Sequence, residues 1–162
     1  MADNNQQAVQ QDVEGYDVIT TALMDLINTF PLLDSGDAFT FADLSATRGK
    51  AFFPLDGAGI EREVKDIIGG TEQYCAYPFL VIYRSGSLTE ARRKRVKEWL
   101  DDLGRWFEGQ TVGSSVIVYP TLTGNRRFTE IRRTSPAHIY AVSESGTEDW
   151  AISINARYTN TF

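Results

Sequence analysis

The hydrophobic pattern of this 162-residue chain predicts an α+β fold, with a mostly antiparallel sheet, two main helices packed on one face and a projecting β-hairpin. Three observations lead to this prediction. Two segments place their apolar residues three or four positions apart, as amphipathic helices do. Several other segments alternate apolar and polar residues or are continuously apolar, as strands are. The order along the chain is helix, strands, helix, strands, which is typical of an α+β domain.

The first helix is predicted between Tyr16 and Phe30, whose apolar residues fall on one helical face. Asp12 is a suitable N-cap, and Pro31 ends the run. Residues 1–11 are polar and rich in glutamine, without the basic flank and apolar centre of a secretory signal. We therefore expect a flexible polar arm over residues 1–11 and a single domain over residues 12–162, a length that suits one core.

Two short strands are predicted next, in the segments DAFTFADL and AFFPLDG. Phe39 and Phe41 lie two positions apart, on one face of a strand. Pro54 has no N–H to donate to a neighbouring strand, so it indicates an edge strand or the end of a strand.

The segment IEREVKDIIGGTEQYCAYPFLVIYRSG predicts a β-hairpin with unequal arms. Gly69 and Gly70 favour a tight turn, because glycine readily adopts positive φ. The first arm carries charge on both faces, whereas Phe79–Tyr83 belongs to an apolar run that suits a central strand covered on both faces. We expect Phe79–Tyr83 to anchor the sheet and Ile60–Gln73 to extend from it.

The second helix is predicted from the apolar spacing of Val96–Phe107, with Gly109 at its end. Ser87 followed by Glu90 matches the capping box at its start. The basic residues Arg92–Arg95 span about 300° of arc, in three steps of roughly 100°, so we expect that they cannot all face solvent. Three interpretations remain open: a solvated helix start, a salt-bridged subunit contact and a nucleic-acid contact.

The final third of the chain predicts four strands, VGSSVIVYPTL, RRFTEIRRTS, AHIYAVSES and EDWAISINARY. Alternation through Trp150–Tyr158 predicts one buried face, and SESGTED predicts the hairpin turn before it. A second basic cluster lies in the RRFTEIRRTS strand. Simple alternation there groups Arg126 and Arg132 with Phe128 and Glu130 on one face, and Arg127 and Arg133 with Ile131 on the other. Charge on both faces suits an edge or a protruding strand.

The residue types that carry chemistry are sparse. Cys75 is the only cysteine and His138 the only histidine, so neither an internal disulfide nor a cysteine-based metal site can form. Cys75 lies in a predicted strand interior, where a thiol is usually inert. LDGAG and IIGG lack the strand-to-helix setting of a phosphate loop. We expect no catalytic residue, cofactor or metal.

Charge and hydropathy also limit the partners. No apolar run approaches the roughly 20 residues of a membrane helix, so we expect no membrane contact. The net charge of −6 does not favour a protein that wraps nucleic-acid phosphates, although a local basic patch can still form.

In the order of these elements and in their pattern of apolar and charged residues, the chain resembles the small minor structural proteins of long-tailed bacteriophages. These are the tail terminators and the related neck proteins known as minor capsid proteins. The resemblance covers most of the chain after residue 12. It is carried by the helix at Tyr16–Phe30, AFFPLDG, IEREVKDIIGGTEQYCAYPFLVIYRSGS, TEARRKRVKEWLDDLGRWFEG and the closing segment EDWAISINARYTNTF.

The resemblance implies a virion structural protein of the tail or neck, assembled in the host cytoplasm. Such a protein forms a homo-hexameric ring on the tail tube, ends tube polymerisation and presents a surface to the head-completion or connector protein. DNA passes through the lumen of the ring without sequence-specific binding. A ring requires two different contact patches on each subunit. The candidate interface residues are Glu61, Arg62, Glu63, Lys65, Ile67, Ile68, Arg92, Arg93, Arg126 and Arg132.

Other classes of function remain open at this point. The chain could instead be another neck or head-completion protein of the same virion. A small enzyme, or its regulatory subunit, would need a site around His138. A nucleic-acid-binding module would use Arg92, Arg93, Arg126 and Arg132, and its binding would weaken steeply with salt.

Overall fold

A computed structural model describes residues 10–86 and 88–162 and confirms the α+β fold. One mostly antiparallel sheet carries both helices on the same face. The elements, in chain order, are α1 Val13–Ile27, β1 Phe39–Phe41, β2 Gly49–Pro54, β3 Gly59–Lys65, β4 Thr71–Ser85, α2 Glu90–Phe107, β5 Arg126–Arg133, β6 His138–Val142 and β7 Glu148–Thr161.

The centre of the sheet is the antiparallel pair β4 and β7, which stay in register from Glu72 opposite Thr161 to Ser85 opposite Glu148. β2 and β3 share the other side of β4, and β5 and β6 share the other side of β7. β1 adds to β2 in parallel. Each long central strand therefore pairs, along its outer edge, with two shorter strands that lie end to end.

β4 is the central strand that its apolar run predicts, but only one of its faces is covered by helices. Tyr77, Phe79 and Val81 point to that side and are fully buried. Leu80, on the opposite face, is only half-buried. Among the described elements, helices therefore cover only the side of Tyr77, although Ala76 and Ile82 on the opposite face are also buried, at 9% and 6% exposed.

Helix α1 begins as its sequence predicts. The side chain of Asp12 accepts a hydrogen bond from the backbone N–H of Gly15 at 3.0 Å, which makes it the N-cap. The helix packs on β4 through the hydroxyls of Thr20 and Tyr77, 2.7 Å apart. Residues just before it attach to the sheet, since the N–H of Ile60 donates to the carbonyl of Gln10 at 2.8 Å. The flexible arm predicted over residues 1–11 lies, for residues 1–9, outside the described residues.

Helix α2 begins two residues later than predicted. Thr89 is the N-cap, and its side chain accepts from the N–H of Arg92 at 3.3 Å, so the capping box with Ser87 is not the helix start. Ser87 itself lies outside the described residues. The apolar face of the helix is confirmed, with all of its predicted residues buried except Trp99, which is half-buried and donates from Nε1 to the carbonyl of Leu32 at 3.0 Å.

Gly104 lets α2 approach the sheet closely. A Cβ at this position would lie 2.2 Å from Cδ of Arg133 and 2.9 Å from Cδ1 of Ile152. Both distances are shorter than van der Waals contact, so a larger side chain would push the helix away from β5 and β7.

The segment VGSSVIVYPTL is not a strand, which corrects the prediction. Ile117 and Tyr119 do pack on the core, but within the described chain no strand pairs with this segment. The hydroxyl of Tyr119 instead accepts from the backbone N–H of Ile131 at 3.2 Å and donates to the carbonyl of Phe107 at 2.9 Å. A side chain of this segment therefore accepts from one backbone N–H of β5.

A β-bulge between Phe128 and Glu130 changes which residues of β5 share a face. Simple alternation groups Arg126 with Arg132, and this grouping is wrong. The extra residue, Thr129, reverses the facing of everything after it. The helix side of β5 thus carries Arg126, Phe128, Ile131 and Arg133, and the open side carries Arg127, Glu130 and Arg132.

The β3–β4 hairpin forms at the predicted place, but its projection from the sheet is not confirmed. Its return arm pairs with β7 from Glu72 onward, and Thr71 exchanges two backbone hydrogen bonds with Phe162 at 2.6 and 2.9 Å. Only the turn at Asp66–Gly70 lies beyond this last pair. The hairpin is therefore the corner of the sheet, and its tip is one short turn.

Candidate assembly surfaces

The cysteine and the histidine do not form a pair. Cys75 lies opposite Tyr158 on β7, whereas His138 lies opposite Ala151. Seven strand residues separate these positions, which is roughly 23 Å. Burial raises the pKa of the Cys75 thiol to about 11, so it carries almost no thiolate at neutral pH. His138 is exposed, and its Nδ1 lies 2.9 Å from the carbonyl oxygen of Pro136.

Among residues 10–86 and 88–162, no group of three or more His, Cys, Asp and Glu side chains is placed to hold a metal ion. Neither described helix is long and apolar enough to cross a membrane.

Arg126 belongs to the interior and not to a subunit interface, which corrects its assignment. Its guanidinium donates from Nε and Nη2 to the two carboxylate oxygens of Asp12, at 2.9 and 2.8 Å. Only 8% and 7% of the two side chains are exposed. Tyr158 donates to the same carboxylate at 2.8 Å. Burial acts to raise the pKa of Asp12, but the hydrogen bonds from Arg126, Tyr158 and Gly15 outweigh it and lower that pKa.

The remaining arginines of β5 divide between its two faces. Arg133 pairs with Glu108 at the end of α2 and packs over Gly104. Arg132, on the open face, is 71% exposed, with its Nε 3.5 Å from Glu130. Of the two β5 residues proposed for an interface, Arg132 alone remains accessible.

The basic start of α2 is anchored to the sheet by one of its arginines. Nε of Arg93 donates to both carboxylate oxygens of Glu148, at 3.0 and 3.1 Å, and Glu148 is almost completely buried. Arg93 therefore has a partner within its own chain. Arg92, Lys94 and Arg95 are exposed on the same turns of the helix, and Arg93 itself is still 47% exposed, so the prediction that these four residues cannot all face solvent is wrong. This part of α2 is a positively charged ridge along one side of the sheet.

The hairpin tip presents two isoleucines to solvent from an ordered turn. Ile67 and Ile68 are fully exposed, at 104% and 89%. The carboxylate of Asp66 accepts from the N–H of Ile68 at 2.9 Å and of Gly70 at 2.7 Å, which holds the turn. Gly69 supplies the positive φ of 98° that the turn requires, whereas Gly70 does not adopt positive φ. Two adjacent, exposed apolar side chains on an ordered turn make the tip a candidate contact surface.

The charged arm behind the tip is only partly paired within the chain. The guanidinium of Arg62 lies 4.3 Å from the centre of the Tyr74 ring. Glu63 accepts from Nε2 of Gln73 at 2.9 Å and lies 3.7 Å from Nζ of Lys65. Glu61 sits at a β-bulge and is exposed. All of these residues except Gln73 and Tyr74 are exposed, so β3 is an accessible edge strand.

The second exposed apolar surface is strand β6, which the sequence patterns did not single out. All five of its side chains are exposed, including Ile139 at 46%, Tyr140 at 55% and Val142 at 60%. β6 pairs with β7, and across the described ranges no strand pairs with its other edge. One signal was available in the sequence. HIYAV is apolar at adjacent positions, and successive side chains of a strand point to opposite faces, so part of this apolar surface lies away from the core.

No family model matches the chain, and no curated protein matches it. A functional proposal therefore depends on the residues and on the geometry of these surfaces.

Proposed function

We propose that this chain is a virion structural protein of a long-tailed bacteriophage, which caps the tail tube as a homo-hexameric ring. In this role it ends tube polymerisation and forms the interface to the head connector. The observation that carries the proposal is the hairpin tip, where an Asp66-ordered turn holds Ile67 and Ile68 fully exposed. The resemblance in element order supplies the class of assembly.

The tip is suited to protein association on energetic grounds. Burying an exposed isoleucine side chain contributes about 1.5–3 kcal/mol, so Ile67 and Ile68 together offer about 3–6 kcal/mol for each contact. Contiguous exposed apolar side chains mark protein–protein interaction sites when they form a large enough patch. In a ring this contribution is repeated at every subunit boundary.

The remaining partners follow from the same role. The tail tube protein lies below the ring and the head-completion or connector protein lies above it, and the protein resides in the virion. A net charge of −6 suits a lumen through which DNA slides without being held. A neck or head-completion protein of the same virion would use a similar ring, and it differs by binding the connector without ending tube growth.

A tube-capping assay tests the proposal. Purified tail tube protein is polymerised with and without this chain, and tube length and tube ends are measured by negative-stain electron microscopy. We expect shorter tubes, each with a six-fold ring at one end. Tubes of unchanged length with bare ends contradict the terminator role.

A pair of matched variants locates the effect. Ile67→Asn with Ile68→Asn should keep the fold but lose capping, because the tip no longer buries apolar surface. The control, Val116→Asn with Val118→Asn, removes two exposed valines (55% and 81%) from another segment and should cap normally. Equal loss in both variants would point to a general solubility effect and remove the tip from the proposal.

A further inference from the structure

We propose that the β3–β4 hairpin tip of one copy packs on strand β6 of the next copy, so that the contact repeats in one direction around the assembly. This inference rests on the proposed function, since it identifies the subunit contact that would close the ring. The two surfaces are Ile67 and Ile68 on the tip, and Ile139, Tyr140 and Val142 on β6.

β6 is open to such a contact. HIYAV contains neither lysine nor proline, two residues that natural proteins use to protect edge strands, so its five-residue length and its β-bulge are the protective features that it has. A β-bulge between Ile139 and Ala141 leaves Tyr140 more than half exposed beside Ile139 and Val142. Together these three side chains offer an apolar surface at one corner of the sheet, and apolar tip residues of a partner would cover it.

The charges around the two surfaces are complementary. α2 runs beside β6, as two contacts show: Arg93 is bound to Glu148, which lies opposite Val142, and Asp101 accepts from the N–H of Ala137 at 3.0 Å. This stretch of α2 carries its exposed basic ridge. The hairpin arm brings a small excess of negative charge to the same contact, because Glu61, Glu63 and Asp66 outnumber Arg62 and Lys65 there. Opposite charges at the edge of an interface favour one orientation of the partner.

Within one copy, the two surfaces are too far apart to meet. The tip continues from Thr71, whereas His138 of β6 lies opposite Ala151 and hence level with Ile82. Eleven residues along β4 correspond to about 36 Å, and the three strand spacings from β3 to β6 add about 14 Å sideways. The tip and β6 thus occupy diagonal corners of the sheet, about 40 Å apart. Different surfaces at opposite corners give a head-to-tail contact, which closes into a ring when the rotation between subunits allows it.

Site-specific crosslinking tests this contact. Two single variants, Ile68→Cys and Tyr140→Cys, are assembled separately and as an equal mixture, with and without tail tubes, and treated with a short bismaleimide. Cys75 is 1% exposed and stays in place, so the wild-type chain is the control for unwanted reaction. Thermal unfolding followed by circular dichroism verifies that each variant folds.

The expected result is a covalent dimer in the mixture and none in either variant alone. A chain carrying both cysteines should give a ladder of products that ends at the ring. Rings or capped tubes without a crosslink in the mixture overturn this contact and leave the proposed function intact. Dimers from Ile68→Cys alone or Tyr140→Cys alone show a symmetric contact and also overturn it. A wild-type chain that forms neither rings nor caps rejects the proposed function together with this inference.

Discussion

Replacing Arg126 by leucine should destabilise the fold strongly, because it leaves the carboxylate of Asp12 buried without its cation. The carboxylate is 7% exposed and loses two hydrogen bonds of 2.9 and 2.8 Å, keeping those from Tyr158 and Gly15. Removing one partner of a buried ion pair costs about 3–5 kcal/mol. That is a large share of the 5–15 kcal/mol typical of a domain.

The assay is thermal and urea unfolding followed by circular dichroism. A loss of 3–5 kcal/mol corresponds to a fall in Tm of about 6–20 °C for a chain of this size. The matched control is Arg132→Leu in the same strand, where the side chain is 71% exposed and 3.5 Å from Glu130. That change should cost no more than about 1 kcal/mol, because exposed ion pairs contribute little. If Arg126→Leu and Arg132→Leu are equally mild, the reasoning about the buried pair is wrong.

The pH dependence of the free energy of unfolding gives a second test of the Asp12–Arg126 ion pair. The pKa of Asp12 is lower in the folded state than in the unfolded chain, so the pair stabilises the fold above the ordinary Asp pKa. This contribution is lost as the pH falls through the folded-state pKa. In Arg126→Leu the carboxylate keeps its burial but not its cation, so the fold should lose less stability between neutral and acid pH than the wild-type fold does. Equal acid sensitivity of the two proteins would contradict this assignment.

Three further predictions concern packing and reactivity. Gly104→Ala should lower the free energy of unfolding, measured in urea, by about 1–3 kcal/mol, because its Cβ would lie 2.2 Å from Cδ of Arg133. An unchanged unfolding midpoint would show that α2 can shift without loss of stability. Tyr119→Phe should lower the free energy of unfolding by about 1–3 kcal/mol in the same experiment, because the backbone N–H of Ile131 loses its acceptor. An unchanged free energy of unfolding would mean that water replaces the hydroxyl. Cys75 should resist thiol-specific labelling at pH 8 in the native protein and react at once in urea, because burial raises its pKa to about 11; rapid native labelling would contradict that burial.

The sequence predicts the helices and the two central strands well, because their periodicity is local. The Asp12 cap of α1 and the buried face of β7 were both predicted from residues within one element. Short-range patterns of this kind depend on a residue's own neighbours in the chain. The start of α2 was missed by two residues, since Ser87 and Thr89 both suit an N-cap and only packing selects between them.

The exposure of the candidate residues was predicted in part. Ile67 and Ile68 were found because a charged strand and a glycine turn leave no core for them to enter. Arg126 was misassigned because its partner Asp12 lies 114 residues away in the sequence. β6 was overlooked as a surface because its exposure depends on which strands end beside it.

The sequence by itself determined the α+β class, the amphipathic helices and the hairpin turn, because each follows from side-chain spacing and turn chemistry over a few residues. Only the tertiary structure decided the facing of the β5 arginines, since the single extra residue at Thr129 reverses every later side chain. It also decided that no other described strand or helix covers β6, at the corner diagonally opposite the hairpin tip. Burial and exposure at these positions depend on strand register and on distant partners, which no local pattern encodes.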